Sequence, residues 1–218
     1  MITQKVTVTL TDMMLGTKPL DPEVFATWVA SKAEDGHKAA EIVASQERAE
    51  KGEDKQGITV FHADEKGPFI CAYQVKGFFK DACGALRIAD GTLSKRVTAY
   101  KTRIDQLIFV NPDKIYIKNV GQLGTCERPL RAETMQGPRV TLARSESIPA
   151  GSMFEFTVTT LATKLGKDDG AVSTSALIEE WLRYGSLRGM GQWRNSGKGR
   201  FAFQIEEVGG FKNPVVPS

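Results

Sequence analysis

The sequence predicts an α+β fold in which helices cover one face of a β-sheet. Three features indicate it: segments that alternate apolar and polar residues, segments whose apolar residues recur with helical spacing, and turns that join consecutive strands. Helical and extended segments interleave, while the hairpins favour α+β over a purely parallel architecture. We expect residues 1–218 to form one domain, with an acidic helical insertion at about residues 20–57.

The first third of the chain begins with a predicted strand and continues into that insertion. Residues 5–10 alternate apolar and polar side chains with β-branched residues, as a half-buried strand does. Asp21 and Pro22 suit the N-cap and first position of a helix, and a second helical stretch spans residues 37–49. Residues 46–56 are almost wholly polar, which is typical of an exposed arm or loop.

The remaining elements follow from the same two periodicities and from turn residues. Apolar residues with helical spacing predict helices over residues 76–87 and 173–184. Turns are predicted at residues 65–68 and at Asn111-Pro112-Asp113, where proline fixes φ between two turn-forming side chains. Extended segments are predicted at residues 58–61, 69–73, 140–142, 153–160 and 200–208, and as two strands within 105–118.

Composition excludes several classes of protein. No apolar stretch approaches the roughly 20 residues that cross a bilayer, and the amino terminus lacks the pattern of a secretory signal. Three cysteines without paired spacing argue against both a disulfide framework and a zinc site. We therefore expect a cytoplasmic protein with no membrane partner, no cofactor and no metal.

Charge is unevenly distributed along the chain. Residues 1–66 carry 8 Lys/Arg against 12 Asp/Glu, whereas residues 67–144 carry 13 against 6. A basic middle third can attract a phosphate backbone, and a solvated basic face without a partner explains the same counts equally well. The positions of the basic residues must decide between these interpretations.

The segment with the most informative composition is a glycine-rich loop between a predicted helix and a predicted strand. Its glycines would let a ligand approach the backbone closely, its cations suit phosphates, and its tryptophan could stack on a base. The spacing matches neither a Walker loop nor a dinucleotide fingerprint. A turn that packs against a neighbouring strand explains the glycines equally well. The candidate residues are Arg188, Gly189, Gly191, Trp193, Arg194, Gly197, Lys198, Gly199 and Arg200.

Three segments, in sequence order, resemble the repeat-associated mysterious protein (RAMP) superfamily of CRISPR proteins. Residues 62–80 resemble the segment of type III backbone subunits that leads into a Leu-Lys-Gly-x-x-Arg helix start. Residues 146–156 resemble their Glu-x-Val-Pro-Ala-Gly-x-x-Phe strand entry, and the glycine-rich loop resembles their carboxy-terminal G-x-G…G-x-G loop. The resemblance spans roughly residues 58–208. Residues 126–131 also resemble a stretch of uncharacterised prophage-borne proteins.

The resemblance implies a modified ferredoxin-like or RNA-recognition-motif core and a role in holding single-stranded nucleic acid, with RNA favoured over DNA. Family members polymerise along RNA, so a homo-oligomer or a subunit of a larger assembly is implied. Lys76 and Lys80 are expected at a helix N-terminus, where the helix dipole favours phosphate. Further candidate phosphate ligands are Lys95, Arg96, Arg128, Arg131, Arg139 and Arg144.

The sequence departs from the family at the position of catalysis. Target-cleaving members carry an aspartate shortly before the proline segment, but residues 57–63 contain no acid, so metal-dependent cleavage is not expected. Metal-independent members use a histidine base, for which His62 is a weak candidate. Two alternatives to binding therefore stay open: a metal-independent endoribonuclease, and a CRISPR-subunit mimic or protein-interaction factor to which the acidic first third would be suited.

Overall fold

The computed structural model of the chain describes residues 1–20, 58–134, 137–166 and 170–209, and the side chains of all these residues except 130–141. The two helices predicted within residues 20–57, and hence the acidic insertion, lie outside the described residues. A single domain over residues 1–218 stays a prediction.

Within that part of the chain the elements, in order, are β1 (Ile2–Leu10), β2 (Met14–Leu15), β3 (Lys18–Pro19), β4 (Ile58–Val60), β5 (His62–Asp64), β6 (Gly67–Cys71), α1 (Ala72–Leu86), α2 (Tyr100–Leu107), β7 (Ile108–Asn111), β8 (Lys114–Lys118), β9 (Gly124–Thr134), β10 (Gly137–Ile148), β11 (Met153–Thr160), β12 (Lys164–Leu165), β13 (Val172–Ser173), α3 (Thr174–Arg188) and β14 (Phe201–Gly209). Short 3-10 turns lie at Ser94–Arg96 and Arg194–Ser196. The mixture confirms the predicted α+β class.

The main sheet is built around β1. This strand pairs antiparallel with β14 on one side and with β11 on the other, and β11 pairs antiparallel with both β7 and β8. From β8 the sheet continues through β6 to β5. The alternation predicted for the first strand is observed, since Val6, Val8 and Leu10 are buried while the residues between them are partly exposed.

The helices cover the apolar face of this sheet. Phe79 of α1 packs against Trp181 of α3 with ring centroids 5.5 Å apart, and Phe78 meets Phe201 of β14 at 6.0 Å. Phe154 and other apolar side chains of β11 are buried beneath them. Burying each such side chain stabilises the fold by about 1.5–3 kcal/mol. The core therefore lies between one face of the sheet and the pair α1–α3.

A second, smaller sheet carries residues of the candidate site. β10 forms a long hairpin with β9, in which Arg128 lies opposite Ala143, and its other edge pairs with β2 and, in parallel, with β4. β3 pairs with β4 at the edge of this sheet. The hairpin and β4 bring Arg128, Ser145 and Thr59 to the same side of the molecule as the glycine-rich loop, as the hydrogen bonds below show.

Three sequence predictions need correction. The first central helix begins at Ala72 rather than at residue 76, because Gln74 accepts a hydrogen bond from the Cys71 amide (2.7 Å) and fixes the helix start there. α2 replaces the predicted strand at residues 105–107, and its single buried residue, Ile104, leaves almost no apolar period to detect. No strand is predicted over the residues of β9, since its charged residues do not alternate with apolar ones.

Candidate functional site

The glycine-rich loop connects α3 to β14 and is tied to the chain that follows β1. Gly199 donates its N–H to the Met13 carbonyl (2.7 Å), and Met190 donates to the Gly199 carbonyl (2.9 Å). Gly189, Gly191, Gly197 and Gly199 have φ values between 72° and 88°, in the region that favours glycine. The loop is therefore a folded structure with its own internal hydrogen bonds.

Two of these glycines are required by contacts within the protein itself. A Cβ at Gly189 would overlap the Lys198 carbonyl, and one at Gly199 would overlap the Met190 carbonyl. Gly191 is less confined, since its Cβ would approach the Leu15 carbonyl at 3.1 Å. The two interpretations of the loop, a packed turn and a site for a ligand, thus apply to different residues. Gly189 and Gly199 allow the loop to close on itself, whereas Gly191 lines a cleft.

Arg128 and Trp193 form the most distinctive contact at the loop. The Arg128 guanidinium lies 5.3 Å from the centroid of the Trp193 indole, which is 36% exposed. Its Nη2 donates to Gln192 Oε1 (3.0 Å), while Nε and Nη1 are buried without a hydrogen-bond partner in the described part of the chain. Burial lowers the pKa of Arg128. A cation next to an exposed indole can attract an anionic group, while the indole offers a face to an aromatic ring.

The Arg128 contact is assembled from segments far apart in sequence. Gln192 Oε1 also accepts long hydrogen bonds from Thr59 of β4 and Ser145 of β10, both at 3.4 Å. The two hydroxyls are 2.8 Å from each other. This network orients the Gln192 amide, which in turn holds the guanidinium over Trp193.

A cleft of about 210 Å³ lies beside the loop. Its wall on α1 consists of Gln74, Gly77, Phe78 and Asp81, whose i, i+3, i+4, i+7 spacing places them on one stripe of the helix. The loop contributes Met190, Gly191 and Arg194, and the remaining wall consists of Met14, Thr17, Phe61, His62, Phe69 and Ile70. Arg194 and Asp81 form an ion pair of 2.6 Å at the cleft.

His62 lies in this cleft, with its ring centroid 5.7 Å from that of Phe69. Burial, with a smaller contribution from the charge of Lys18, lowers the pKa of His62 below its usual value. The imidazole is therefore neutral at neutral pH, which is the protonation state that a general base requires.

Several other predicted cations lie away from the glycine-rich loop or are paired with acids. Lys80 binds the Asp105 carboxylate of α2 (2.6 Å), and Lys76 donates to the Asp105 carbonyl (3.1 Å). Because α1 begins at Ala72, these lysines lie within the helix, and the prediction that they sit at its N-terminus is wrong. Lys95 pairs with Asp90, Arg144 with Glu127, and Lys198 with Asp12.

The remaining predicted residues contribute less defined contacts. Arg96 is exposed on the 3-10 turn, and Arg188 ends α3 with its Nε buried without a hydrogen-bond partner. Arg200 donates from Nε to the carbonyl of Gly197 (3.0 Å). The backbones of Arg131 and Arg139 lie in the β9–β10 hairpin, but their side chains are outside the described part of the chain.

The exposed face of the main sheet lacks an aromatic platform for bases on its central strands. Phe201 and Phe203 of β14 lie opposite Leu10 and Val8, so both rings are on the helix side of the sheet. The solvent side carries Lys5, Thr7 and Glu155, where two lysines hold the pKa of Glu155 at about 2. Exposed rings are found instead on β7, where Phe109 is 40% exposed with Lys76 Nζ 5.5 Å from its centroid, and at Trp193 in the glycine-rich loop.

Sequence reasoning missed three residues of the site. Gln192 lies between two residues that were selected, and its amide could have been noted as a hydrogen-bonding group. Gly77 interrupts a helix, which is itself a signal because glycine destabilises helix interiors. For Asp81 no sequence pattern indicates that it meets Arg194, 113 residues away. Within the described residues no group of three His, Cys, Asp or Glu side chains is arranged to hold a metal, and none of the described helices is both long and apolar enough to cross a membrane.

Comparison with known proteins shows a structural similarity without a sequence match. Neither a family model nor a curated protein matches the sequence. A cryo-EM structure of the Type III-B Cmr-beta bound to cognate target RNA aligns over 95% of this chain with a TM-score of 0.50 and 12% identity. This chain spans 60% of that one. A Type IV-B CRISPR complex aligns over 100% of this chain and 96% of its own, with a TM-score of 0.46 and 10% identity.

These similarities concern the fold. The sheet-rich α+β architecture is similar to that of the Type III-B structure. They give no support to a prophage origin.

Proposed function

We propose that this protein binds single-stranded nucleic acid, RNA in preference to DNA, without sequence specificity, as a backbone-type subunit of an oligomeric assembly. The observation that carries the proposal is the Arg128–Trp193 pair, a partly buried guanidinium that lies over an exposed indole. Such a pair offers a positive charge to a phosphate and a surface for a base. Neither contact depends on base identity.

The fold supports the same role. The strands β14, β1, β11 and β7 are adjacent in that order and antiparallel. Along the chain, α1 lies between β1 and β7, and α3 lies between β11 and β14. This βαββαβ order is that of a ferredoxin-like core, from which we infer a modified core of this kind carrying the second sheet as an elaboration. The Type III-B structure that shares this fold was determined with target RNA bound.

A salt-titrated binding assay with purified protein tests the proposal. We expect single-stranded RNA and DNA to bind at low ionic strength, with log K falling by about 0.7 per neutralised phosphate for each unit of log salt. Duplexes should bind more weakly, because their bases cannot reach Trp193. Light scattering should show mass growing as single strand is added, since head-to-tail contacts that do not close produce rows of subunits. No salt-dependent binding to any single strand would contradict the proposal and favour the protein-interaction alternative.

A metal-independent endoribonuclease is the second candidate, supported by the position of His62. This residue lines the same cleft as Arg194, and its lowered pKa keeps the imidazole neutral and able to accept a proton. Cleavage of labelled RNA in the presence of a chelator, lost in His62→Ala with binding intact, would establish this activity. Cleavage that persists in His62→Ala would exclude His62 as the base.

A further inference from the structure

Gly77 occupies a position where helix geometry alone would favour another residue. It lies in the middle of α1, and glycine destabilises a helix interior relative to alanine. Its φ is not in the left-handed region, and a Cβ built there would meet no atom within 4 Å. Neither backbone conformation nor packing therefore requires glycine at this position. A side chain at residue 77 would enter the cleft that Gly77 lines.

The cleft has the size and lining suited to one planar aromatic ring system. Its volume of about 210 Å³ is smaller than the roughly 300–1,000 Å³ of sites that hold drug-sized ligands. The walls are largely apolar and include Phe61, Phe69 and Phe78, whereas Asp81 and Arg194 supply an acceptor and donors. Purine and pyrimidine rings present apolar faces and a polar edge, which this lining complements.

The cleft is continuous in sequence with the Arg128–Trp193 pair. Gly191 and Arg194 line it, while Gln192 and Trp193, the two residues between them, contact Arg128. A strand that rests on Trp193 therefore lies beside residues that line the cleft. Taking one base out of the stack costs a few kcal/mol in a duplex and least in a strand that is already single.

We propose that the cleft beside the glycine-rich loop binds one unstacked nucleobase, with Gly77 keeping its entrance open and Asp81 and Arg194 contacting the polar edge of the base. The inference rests on the proposed single-strand binding and assigns it a second contact point. Its ligand is a nucleobase, which a bound strand or a free nucleotide could supply.

Two substitutions at Gly77 separate the cleft from the fold. Gly77→Ala should raise the melting temperature, because alanine favours the helix, and should weaken strand affinity far less than a large side chain, since one methyl group leaves most of the cleft open. Gly77→Leu should also fold, because its Cβ meets no atom, but should fill the cleft and weaken strand binding about tenfold. Equal affinity of Gly77→Leu and the wild type, with the wild type binding normally, would overturn the cleft inference and leave the proposed function standing.

An abasic scan identifies the source of the base. With the shortest strand that saturates the protein, removal of one particular base should weaken wild-type binding about tenfold, and the same removal should change nothing in Gly77→Leu. An abasic strand that behaves alike in both proteins would contradict occupancy by the strand. Saturable binding of free AMP, GMP, CMP or UMP to the wild type but not to Gly77→Leu, with no abasic effect, would assign the cleft to a free nucleotide instead. If neither the abasic scan nor the free nucleotides distinguish the wild type from Gly77→Leu, the inference is overturned.

Discussion

Two basic regions of the molecule differ in how their charges are used. On the α1–α2 face, Lys80 is held 2.6 Å from the Asp105 carboxylate and Lys76 donates to the carbonyl of the same residue. At the glycine-rich loop, Arg128 has no carboxylate partner among the described residues, and its Nε and Nη1 are buried without a hydrogen bond to any of them. In the first region Asp105 neutralises Lys80, whereas in the second no described acid neutralises Arg128.

This difference shows why counting basic residues locates a binding surface poorly. Residues 67–144 carry an excess of cations that includes members of both regions. Because unsatisfied buried donors cost free energy, Arg128 costs the fold more than a lysine in an exposed ion pair does. Four substitutions would sharpen or break this comparison.

The largest effect is expected from Gly199→Val, which attacks the shape of the loop that presents Trp193. Gly199 has a φ of 72°, and its Cβ would overlap the Met190 carbonyl. We expect the free energy of unfolding to fall by roughly 2–4 kcal/mol in a denaturant titration, with binding lost through the fold. Gly209→Val is the matched control, since that glycine also has a positive φ but open space around it. Equal losses in the two variants would show that the close approach at Gly199 does not matter.

Trp193→Ala is expected to affect binding without affecting the fold. If the indole stacks on a base, affinity should fall by about 1–3 kcal/mol, while the dependence of log K on log salt stays nearly unchanged. Trp193→Phe retains a ring and should recover most of the affinity. An alanine variant that binds as well as the wild type would show that the indole is not part of the interface. The contrast between the two basic regions would then rest on Arg128 alone.

The sequence predicted most strands of the main sheet and the two helices that cover it, but neither α2 nor β9. Strands such as β1 and β11 have one buried and one exposed face, so their alternation is visible in the residues. α2 buries one residue, and β9 carries charged residues and a proline, so neither has a period that local reasoning can detect. The helix start at Ala72 depends on the hydrogen bond from the Cys71 amide to the Gln74 side chain. The apolar run at residues 69–73 instead predicts an extended segment there.

The candidate site could be predicted only where it is continuous in sequence. The glycine-rich loop was found because its glycines and cations are adjacent. Arg128 was selected as one cation among many, since its contact with Trp193 joins residues 65 positions apart through the pairing of β9 with β10. The Arg194–Asp81 pair likewise depends on α1 packing beside the loop. Such contacts are properties of the fold and are not visible in any local pattern.

Arg128→Met should change stability and binding in opposite directions. The apolar side chain removes two buried donors that lack partners, so the free energy of unfolding should rise by about 1 kcal/mol. Binding should weaken by a similar amount, and the salt dependence should flatten by about 0.7 if one phosphate contact is lost. Arg128→Lys keeps the charge and should preserve that slope. A methionine variant that is less stable than the wild type would indicate a structural role for the guanidinium.

The smallest effect is expected from Lys80→Gln on the α1–α2 face. The Lys80–Asp105 pair is partly exposed, with side chains 30% and 51% accessible, and such pairs contribute about 0–1 kcal/mol to stability. Because Asp105 already neutralises this lysine, strand affinity should stay within about twofold of the wild type and the salt dependence should not change. Asp105→Asn is the complementary variant, since it releases Lys80 without removing it. If Lys80→Gln instead flattened the salt dependence by about 0.7, the strand would displace Asp105 and contact both basic regions. The distinction between them would then fail, and one interface that includes Lys76, Lys80 and the glycine-rich loop would be the better description.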